Sequence, residues 1–532
     1  MKKFNTTGIC VPWKHYMVDL SEIVREIKSL VDAGKYLTIN RARQYGKTTT
    51  IGALCRRLEG EYVVVSLDFQ DIEAGSFANG GEFSKAFARI ILDAKEFDGL
   101  IIPDLTADRF REITGRQSSD VKLDDLFRVF RYWFQEENRD IVLIIDEVDS
   151  ASNNQVFLDF LAQLRSLYLK REKSSGTKTF QSVILAGVSD IRYLKSRIRD
   201  DANAKINSPW NIAADFAVDM SFSEKGIKGM LEEYEADHQT GMNTAEIAKL
   251  LREYTNGYPF LVSRLCQLMD ETVSQTKGFG KGWTREGFEE AVKLILIEDN
   301  TLFQSLSSKL NNYEELRASL RSLLMEGEKL TWNTDQKEIV QMNMYGFIRN
   351  EHNSVCIDNR IFETRLYNLF LSDEELKSNE FSKEGDLERK LFVEDGKLNV
   401  RLILERFIKA YHQICGPLEE SERFQEKGGR ELFLLYLKPI INGTGNYYIE
   451  AQTRDQKRTD VIIDYLGRQY IIELKIWRGE RYNAEGEKQI SEYLEYFGLD
   501  TGYMLSFNFN KKKETGVRRV EIGNKILFEG TV

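Results

Sequence analysis

Over the first 220 positions, apolar residues gather into short, nearly continuous runs separated by stretches of helical spacing. The runs 35–40, 62–67, 141–145 and 182–186 lack the alternation of a half-exposed strand. Strands buried on both faces of a parallel sheet have this pattern. Between them, Phe157, Leu161, Leu164 and Leu167 recur at three- or four-residue intervals, which predicts a helix within 153–170. Strands alternating with helices predict a doubly wound α/β domain here.

Beyond about residue 223 the pattern turns mainly helical. Residues 316–357 are expected to form helices and then a short hairpin, 346–349 with 354–357, the order of a winged-helix module. The polar, acidic stretch 372–386 shows no periodicity and is expected to be a linker. Helical text resumes at 387–415, and strands return at 447–449, 461–463 and 470–472. The expected organisation is an α/β core over 1–222, a helical region over 223–300 and a winged-helix-like region over 301–372. A linker and helix over 373–420 and an α/β domain over 421–532 complete it.

Composition narrows the class. Of 532 residues, 42% are hydrophobic and 30% charged, with 6 prolines, which excludes a disordered or fibrous chain. No run approaches the roughly 20 apolar residues that span a bilayer, and no apolar core follows the basic Met1-Lys2-Lys3 start, so neither membrane insertion nor a leader is expected. Five scattered cysteines (Cys10, Cys55, Cys266, Cys356, Cys415) form no zinc spacing, and a reduced, cytoplasmic protein is expected.

The first candidate site follows the strand ending at Asn40. Arg41-Ala42-Arg43-Gln44-Tyr45-Gly46-Lys47-Thr48-Thr49 leads into a helix containing Ile51, Leu54 and Leu58. Gly-Lys-Thr between strand and helix offers backbone N–H groups and a helix dipole to phosphate. Lys47 is expected to reach the β/γ-phosphates of ATP and the Thr48 hydroxyl to ligate Mg2+. The first glycine of the general loop pattern is Arg41 here. About a hundred residues on, the buried run 141–145 ends in Asp146-Glu147, where Asp146 is expected to hold Mg2+ and Glu147 to polarise the attacking water.

With these residues the segment resembles the bacterial AAA-like ATPases, whose loop carries basic residues where most such loops have glycine. The resemblance implies a P-loop sheet domain with a helical lid, and nucleotide contacts from Arg43, Gln44, Tyr45, Gly46, Lys47, Thr48, Thr49 and Asp146. Asn256-Gly257-Tyr258-Pro259 resembles the Gly-x-Pro element of the related STAND ATPases, which implies that Pro259 approaches nucleotide from the lid. It also implies a polar sensor at Ser189 and an arginine finger at Arg197 or Arg199. A proline opening an ordinary helix is the bland alternative for Pro259.

The second candidate site is 459–475. Two strands flank a Gly-containing turn, and Glu473 and Lys475, two apart, share a face. A two-residue turn at Gly467-Arg468 would set Asp460 opposite Lys475, so that Asp460, Glu473 and Lys475 converge. Carboxylate oxygens suit Mg2+, which stabilises charge on a phosphodiester, while Lys475 would position or polarise the nucleophile. Ile471 shares their face, so the polar group is not merely part of a solvated surface.

Asp-x(n)-Glu-x-Lys on a hairpin resembles the PD-(D/E)XK nuclease superfamily, with Thr459 in place of the proline. The resemblance implies a preceding helix with an acid, for which Glu431 and then Glu426 are candidates. A following helix would carry Gln489, and Glu450 is a further metal-ligand candidate.

These parts imply an ATP-regulated, Mg2+-dependent nuclease acting on nucleic acid, with DNA favoured. Defence against phage or mobile DNA is an expectation by analogy alone. The alternative is a nucleotide-dependent switch or scaffold whose nuclease fold serves only interaction; a DNA motor ranks lower, and a homo-oligomer is left open. The charge is compatible with nucleic acid. The chain totals −10, yet residues 421–532 hold 18 Lys+Arg against 17 Asp+Glu, so the acidity lies in the first 420 residues. Arg454, Lys457, Arg458, Arg478, Arg481, Lys511, Lys512, Lys513, Arg518 and Arg519 cluster around the second site, which predicts local, salt-sensitive binding.

Overall fold

The computed structural model describes residues 2–152, 154–174, 176–188, 210–214, 216–325, 330–376, 380–415, 426–441, 445–450, 459–466, 468–476, 490–491, 494–495, 498–508 and 514–532. The chain forms two compact units. One comprises Met1–Phe222 with Met344–Gly346, the other Ser223–Asn343 with Phe347–Val532.

The first unit is built on four parallel strands: β1 (Leu37–Asn40), β2 (Val63–Asp68), β3 (Ile141–Asp146) and β4 (Ser182–Gly187). Their order is β1-β4-β3-β2, and an isolated parallel bridge from Leu37 to Ala214 extends the β1 edge. The strand interiors explain the continuous apolar runs. Leu143, Ile145, Val183 and Leu185 face a core shared with Phe83, Phe87, Phe130 and Phe160. Val142, Ile144, Ile184 and Ala186 face the opposite way, onto Val24, Ile27, Leu54 and Leu58. Both sets are buried, so no polar residue marks the alternation. Full burial of each such side chain contributes roughly 1.5–3 kcal/mol. Helices pack on both faces, which leaves the carboxyl ends of the strands as the place for chemistry.

In the second unit, helices Glu224–His238, Thr244–Thr255, Pro259–Gln267 and Arg285–Ile297 come first. After Thr301–Asn312 and Glu314–Met325 comes the hairpin of β5 (Ile348–Glu351) and β6 (Ser354–Ile357). Its two turn residues, His352 and Asn353, both have positive φ, the backbone that matches strand twist in a two-residue hairpin. Thr331 bridges to Ser354 as a third, short edge, so the helix-then-hairpin order expected of a winged helix is present.

The expected linker at 372–386 departs from that reading. Helix Arg360–Leu376 runs into it and helix Glu380–Glu388 follows. The second helix buries Phe381 and Gly385, and a Cβ on Gly385 would lie 2.1 Å from the Tyr436 carbonyl. The packing contact there is a missing side chain, which carries no hydrophobic signal. Tyr436 Oη donates to Glu388 Oε2 at 2.9 Å and secures the same pair of helices.

After the two-residue strands β7 (Val393–Glu394) and β8 (Lys397–Leu398) come helices Val400–Cys415 and Glu426–Ile441. A six-stranded mixed sheet ends the chain: β9 (Gly445–Glu450), β10 (Thr459–Tyr465), β11 (Arg468–Ile476), β12 (Thr501–Phe507), β13 (Gly516–Ile522) and β14 (Lys525–Thr531). The order is β13-β14-β12-β11-β10-β9. Strands β9, β10 and β11 are antiparallel neighbours, whereas β12 runs parallel to both β11 and β14. Among the described residues no helix is long and apolar enough to cross a membrane.

Candidate functional site

In the first unit, β1 delivers the chain into the loop 41–46 and helix Lys47–Leu58 leaves it. Gly46, at φ 79, takes the left-handed conformation immediately before the helix, where a side chain would be strained. Lys47 is buried, and its Nζ donates to the carbonyls of Arg41 and Ala42, each at 3.1 Å. Burial pulls its ammonium below the ordinary lysine range; the nearby Glu147, Asp146 and Asp149 act the other way. At the end of β3, Asp146 Oδ2 accepts from Thr48 Oγ1 at 2.8 Å and Oδ1 from the Glu147 N–H at 2.9 Å. Thr48 and Asp146 therefore stand together, the oxygen pair that suits Mg2+.

Glu147 sits at φ 52, in the left-handed region. Burial pushes its carboxyl above the usual range, and the charges of Asp146 and Asp149 add to that against the opposing Lys47. Asp149 Oδ2 accepts the Val188 N–H at 2.5 Å, which ties the tips of β3 and β4 together.

Arg41 turns away from the loop. Its Nη2 donates to the Val218 carbonyl at 2.6 Å and its Nη1 to the Asn40 carbonyl at 2.8 Å, while the guanidinium lies 5.1 Å from the Phe216 ring centre. The residue that replaces the usual glycine is thus a brace for the loop entrance. Arg41→Ala should cost about 1–3 kcal/mol of stability, as loss of a charged, partly buried hydrogen-bond donor does, read as a lower denaturation midpoint of the full chain. The N-terminal segment also reaches this region. The Cys10 N–H donates to Thr49 Oγ1 at 3.1 Å, and Ile9 lies so near Gly52 that a Cβ there would stand 2.8 Å from it. Sequence reasoning missed that contact, which has no motif.

In the second unit, Asn256 and Gly257 both have positive φ, and Pro259 opens helix Pro259–Gln267. The Thr255 hydroxyl accepts the Gly257 N–H at 3.1 Å and donates to the Leu251 carbonyl at 2.5 Å, so the turn is fixed locally.

The C-terminal hairpin differs in its turn. Tyr465 pairs with Arg468 and Asp464 with Gln469, so Arg468 belongs to the ladder and not to the expected Gly467-Arg468 turn. Leu466 supplies the left-handed backbone, at φ 48. The register thereby moves by two from the expected one, with Val461 paired to Ile472 at the end of the ladder, while the pairing of β10 with β9 shifts register between Thr459 and Ile462. An even shift preserves the face, so the shared parity stands.

Glu473 is 2% exposed and the Lys475 side chain 12%, with Nζ 3.6 Å from Glu473 Oε1. On β12, Met504 stands beside Glu473 and Ser506 beside Lys475. The Ser506 hydroxyl is buried and has no hydrogen-bond partner among the described residues. The row from Glu473 through Met504 continues to Glu529 on β14, fully buried, and Arg518 on β13, whose Nε donates to Glu529 Oε2 at 2.5 Å. Ile471, Met504 and Leu527 pack with Ile490 and Leu494 on this sheet, so the polar pair sits beside an apolar core.

Glu431 lies on helix Glu426–Ile441, where it accepts from Arg321 Nη2 at 2.8 Å. Glu450 closes β9 in register with Thr459. Ser189, Arg197, Arg199 and Gln489 lie outside the described residues, as do Arg454, Lys457, Arg458, Arg478, Arg481, Lys511, Lys512 and Lys513. The side chains of Asp460, Glu450 and Glu426 are likewise outside the description. Among the described residues no three His, Cys, Asp or Glu side chains gather closely enough to hold a metal ion.

The parallel sheet with its loop, lysine and paired acids defines a P-loop ATPase fold, and the C-terminal sheet has the layout of a nuclease-type domain. The AAA-like domain family matches residues 16–372, and the chain belongs to it. Residues 446–520 match the PD-(D/E)XK nuclease superfamily, so the chain joins an AAA-like ATPase domain to a C-terminal domain of that superfamily. No curated protein matches the chain. Among solved structures, a Walker-type ATPase of Pyrococcus abyssi is similar at 12% identity and a TM-score of 0.46, over 68% of this chain and 99% of that one. The ORC2 protein of Aeropyrum pernix is similar at 13% identity and a TM-score of 0.34, over 70% and 98%. The ORC1 protein of Aeropyrum pernix, solved in complex with DNA, is similar at 12% and 0.29, over 66% and 93%.

Proposed function

We propose that the protein binds and hydrolyses ATP at the loop 41–49 and cleaves phosphodiester bonds of nucleic acid at its C-terminal hairpin, with nucleotide state regulating cleavage. The observation that carries the second half is the buried Glu473–Lys475 pair on one strand of the sheet. A carboxylate and an ammonium held largely out of water are costly to keep, and such groups cluster at binding and catalytic sites.

In the ATPase site, Lys47 would exchange the Arg41 and Ala42 carbonyls for phosphate oxygens. Thr48 and Asp146 would hold Mg2+, which supplies positive charge to the polyphosphate. Glu147, its carboxyl raised by burial, would accept a proton from the attacking water. Pro259 would touch nucleotide from the lid turn, and Arg43, Gln44, Tyr45, Gly46 and Thr49 would line the loop. In the second site, Asp460 and Glu473, with Glu450 as a third candidate, would hold Mg2+, and Lys475 would orient the nucleophile or offset charge on the phosphate. Glu431, held by Arg321, would act by fixing the helix before the sheet. DNA is the favoured substrate, and clearance of phage or mobile DNA is a setting that would suit this pairing.

The test is cleavage of DNA and RNA in Mg2+, with and without ATP. Cleavage of at least one polymer, abolished by EDTA and changed several-fold by ATP, is the expected result. No cleavage of either polymer under any of these conditions would leave the interaction-module alternative in its place.

A further inference from the structure

One buried contact joins the lid turn to the C-terminal hairpin. Tyr254, in the last turn of helix Thr244–Thr255, donates from Oη to Asp464 Oδ2 at 2.5 Å. Both belong to the second unit. Asp464 lies on β10 opposite Gln469 and is itself buried, which pushes its carboxyl above the ordinary aspartate range against the hydrogen bonds from Tyr254 and Gln469.

The surroundings hold the tyrosine in place. Phe288 meets its ring edge-on at 5.1 Å, and the Arg360 guanidinium lies over it at 5.4 Å. Arg360 and Arg285 offset the Asp464 charge. Glu289, pushed up to about 7 by burial and then by Asp464, is the opposing acid.

Two residues after Tyr254 the turn is held from another side. Asn256 hydrogen-bonds Asp358, a buried acid just past β6, and Arg252 donates to the Asn256 carbonyl. Arg349 Nη1 binds the carbonyls of Ile357 and Asp358, each at 2.6 Å. The segment from Tyr254 to Pro259 is therefore attached at one end to the β10–β11 hairpin and in its middle to the β5–β6 hairpin.

On β10, Asp464 is four residues from Asp460, with continuous pairing to β11 from Tyr465 through Val461. A ladder of this kind moves as a unit, since slipping it would exchange the faces of its side chains. We propose that Tyr254 and Asp464 form a latch, acting as positioning residues that set the placement of the hairpin carrying Asp460, Glu473 and Lys475 according to the state of the Asn256–Pro259 turn. The inference rests on the ATP-regulated nuclease reading for what the turn senses, but the latch itself is a contact within one unit.

Coupling between sites typically changes an equilibrium by roughly 5- to 150-fold. In the full-length protein, Tyr254→Phe should bring the ratio of cleavage rates with and without ATP at least about fivefold closer to one. ATP hydrolysis and the KM for nucleic acid should stay as in the wild type. Asp464→Asn keeps an oxygen for the tyrosine hydroxyl and should retain the ratio; a general loss of packing would not distinguish these two variants. Hydrogen exchange supplies a readout independent of cleavage, with amides of 461–465 and 468–474 exchanging roughly tenfold faster in Tyr254→Phe, the effect of losing one buried hydrogen bond. A wild-type ratio in Tyr254→Phe, or unchanged exchange in the hairpin, overturns the latch. A wild type that does not cleave, or ignores ATP, removes the functional reading instead, and the exchange measurement then still decides the latch.

Discussion

Lys475→Ala is expected to lower Mg2+-dependent cleavage by about 10²–10³-fold or more, the usual cost of removing one preorganised charge from a reacting centre. The Lys475 side chain is 12% exposed, and its ammonium lies 3.6 Å from Glu473. In so dry a setting an ammonium interacts with phosphate far more strongly than it would in water. Removing it also leaves a buried carboxylate without that partner, which destabilises the fold. Retained ATP hydrolysis and an unchanged circular-dichroism spectrum separate lost chemistry from lost structure. Glu473→Gln should match it in rate, and it removes the carboxylate while leaving the Lys475 ammonium without its charged partner. Equal cleavage by wild type and Lys475→Ala would end the nuclease assignment.

In the first unit, Lys47→Ala should weaken ATP binding by at least about tenfold to a hundredfold, the range for a charged hydrogen-bond donor, and hydrolysis should become undetectable. The lysine is already held in place by the Arg41 and Ala42 carbonyls, so it is ordered before nucleotide arrives. Glu147→Gln should bind ATP normally and hydrolyse it about 10²–10⁴-fold more slowly, as loss of a general base does. Burial raises the Glu147 carboxyl, so the wild-type rate should fall with decreasing pH from a point above the ordinary glutamate range, and that limb should vanish in Glu147→Gln. Calorimetric binding and phosphate release are the measurements. Unchanged hydrolysis in both variants would refute the site.

What the chain reveals before folding depends on which signals survive in one dimension. The parallel strands were legible because Ile141–Ile145 and their neighbours are apolar on both faces, and burial on both sides accounts for that. The face shared by Glu473 and Lys475 was legible because residues two apart on one strand point the same way whatever the register with its neighbour. The turn was not, since a leucine at φ 48 contradicts the local preference that points to Gly467. Helix Glu380–Glu388 was hidden because its closest packing point is Gly385, which has no side chain to read. The pairs Arg321–Glu431 and Tyr254–Asp464 span 110 and 210 residues, and no local pattern announces either.

Glu147 carries one further consequence. Its backbone holds a left-handed conformation that glycine adopts freely, whereas a side chain there costs roughly 1 kcal/mol or more. The residue that fits the backbone best at this position is therefore glycine, which has no carboxylate. Under the general-base role proposed for Glu147, selection for thermal robustness alone would drift toward glycine here and lose turnover, so foldability and catalysis would compete directly at position 147.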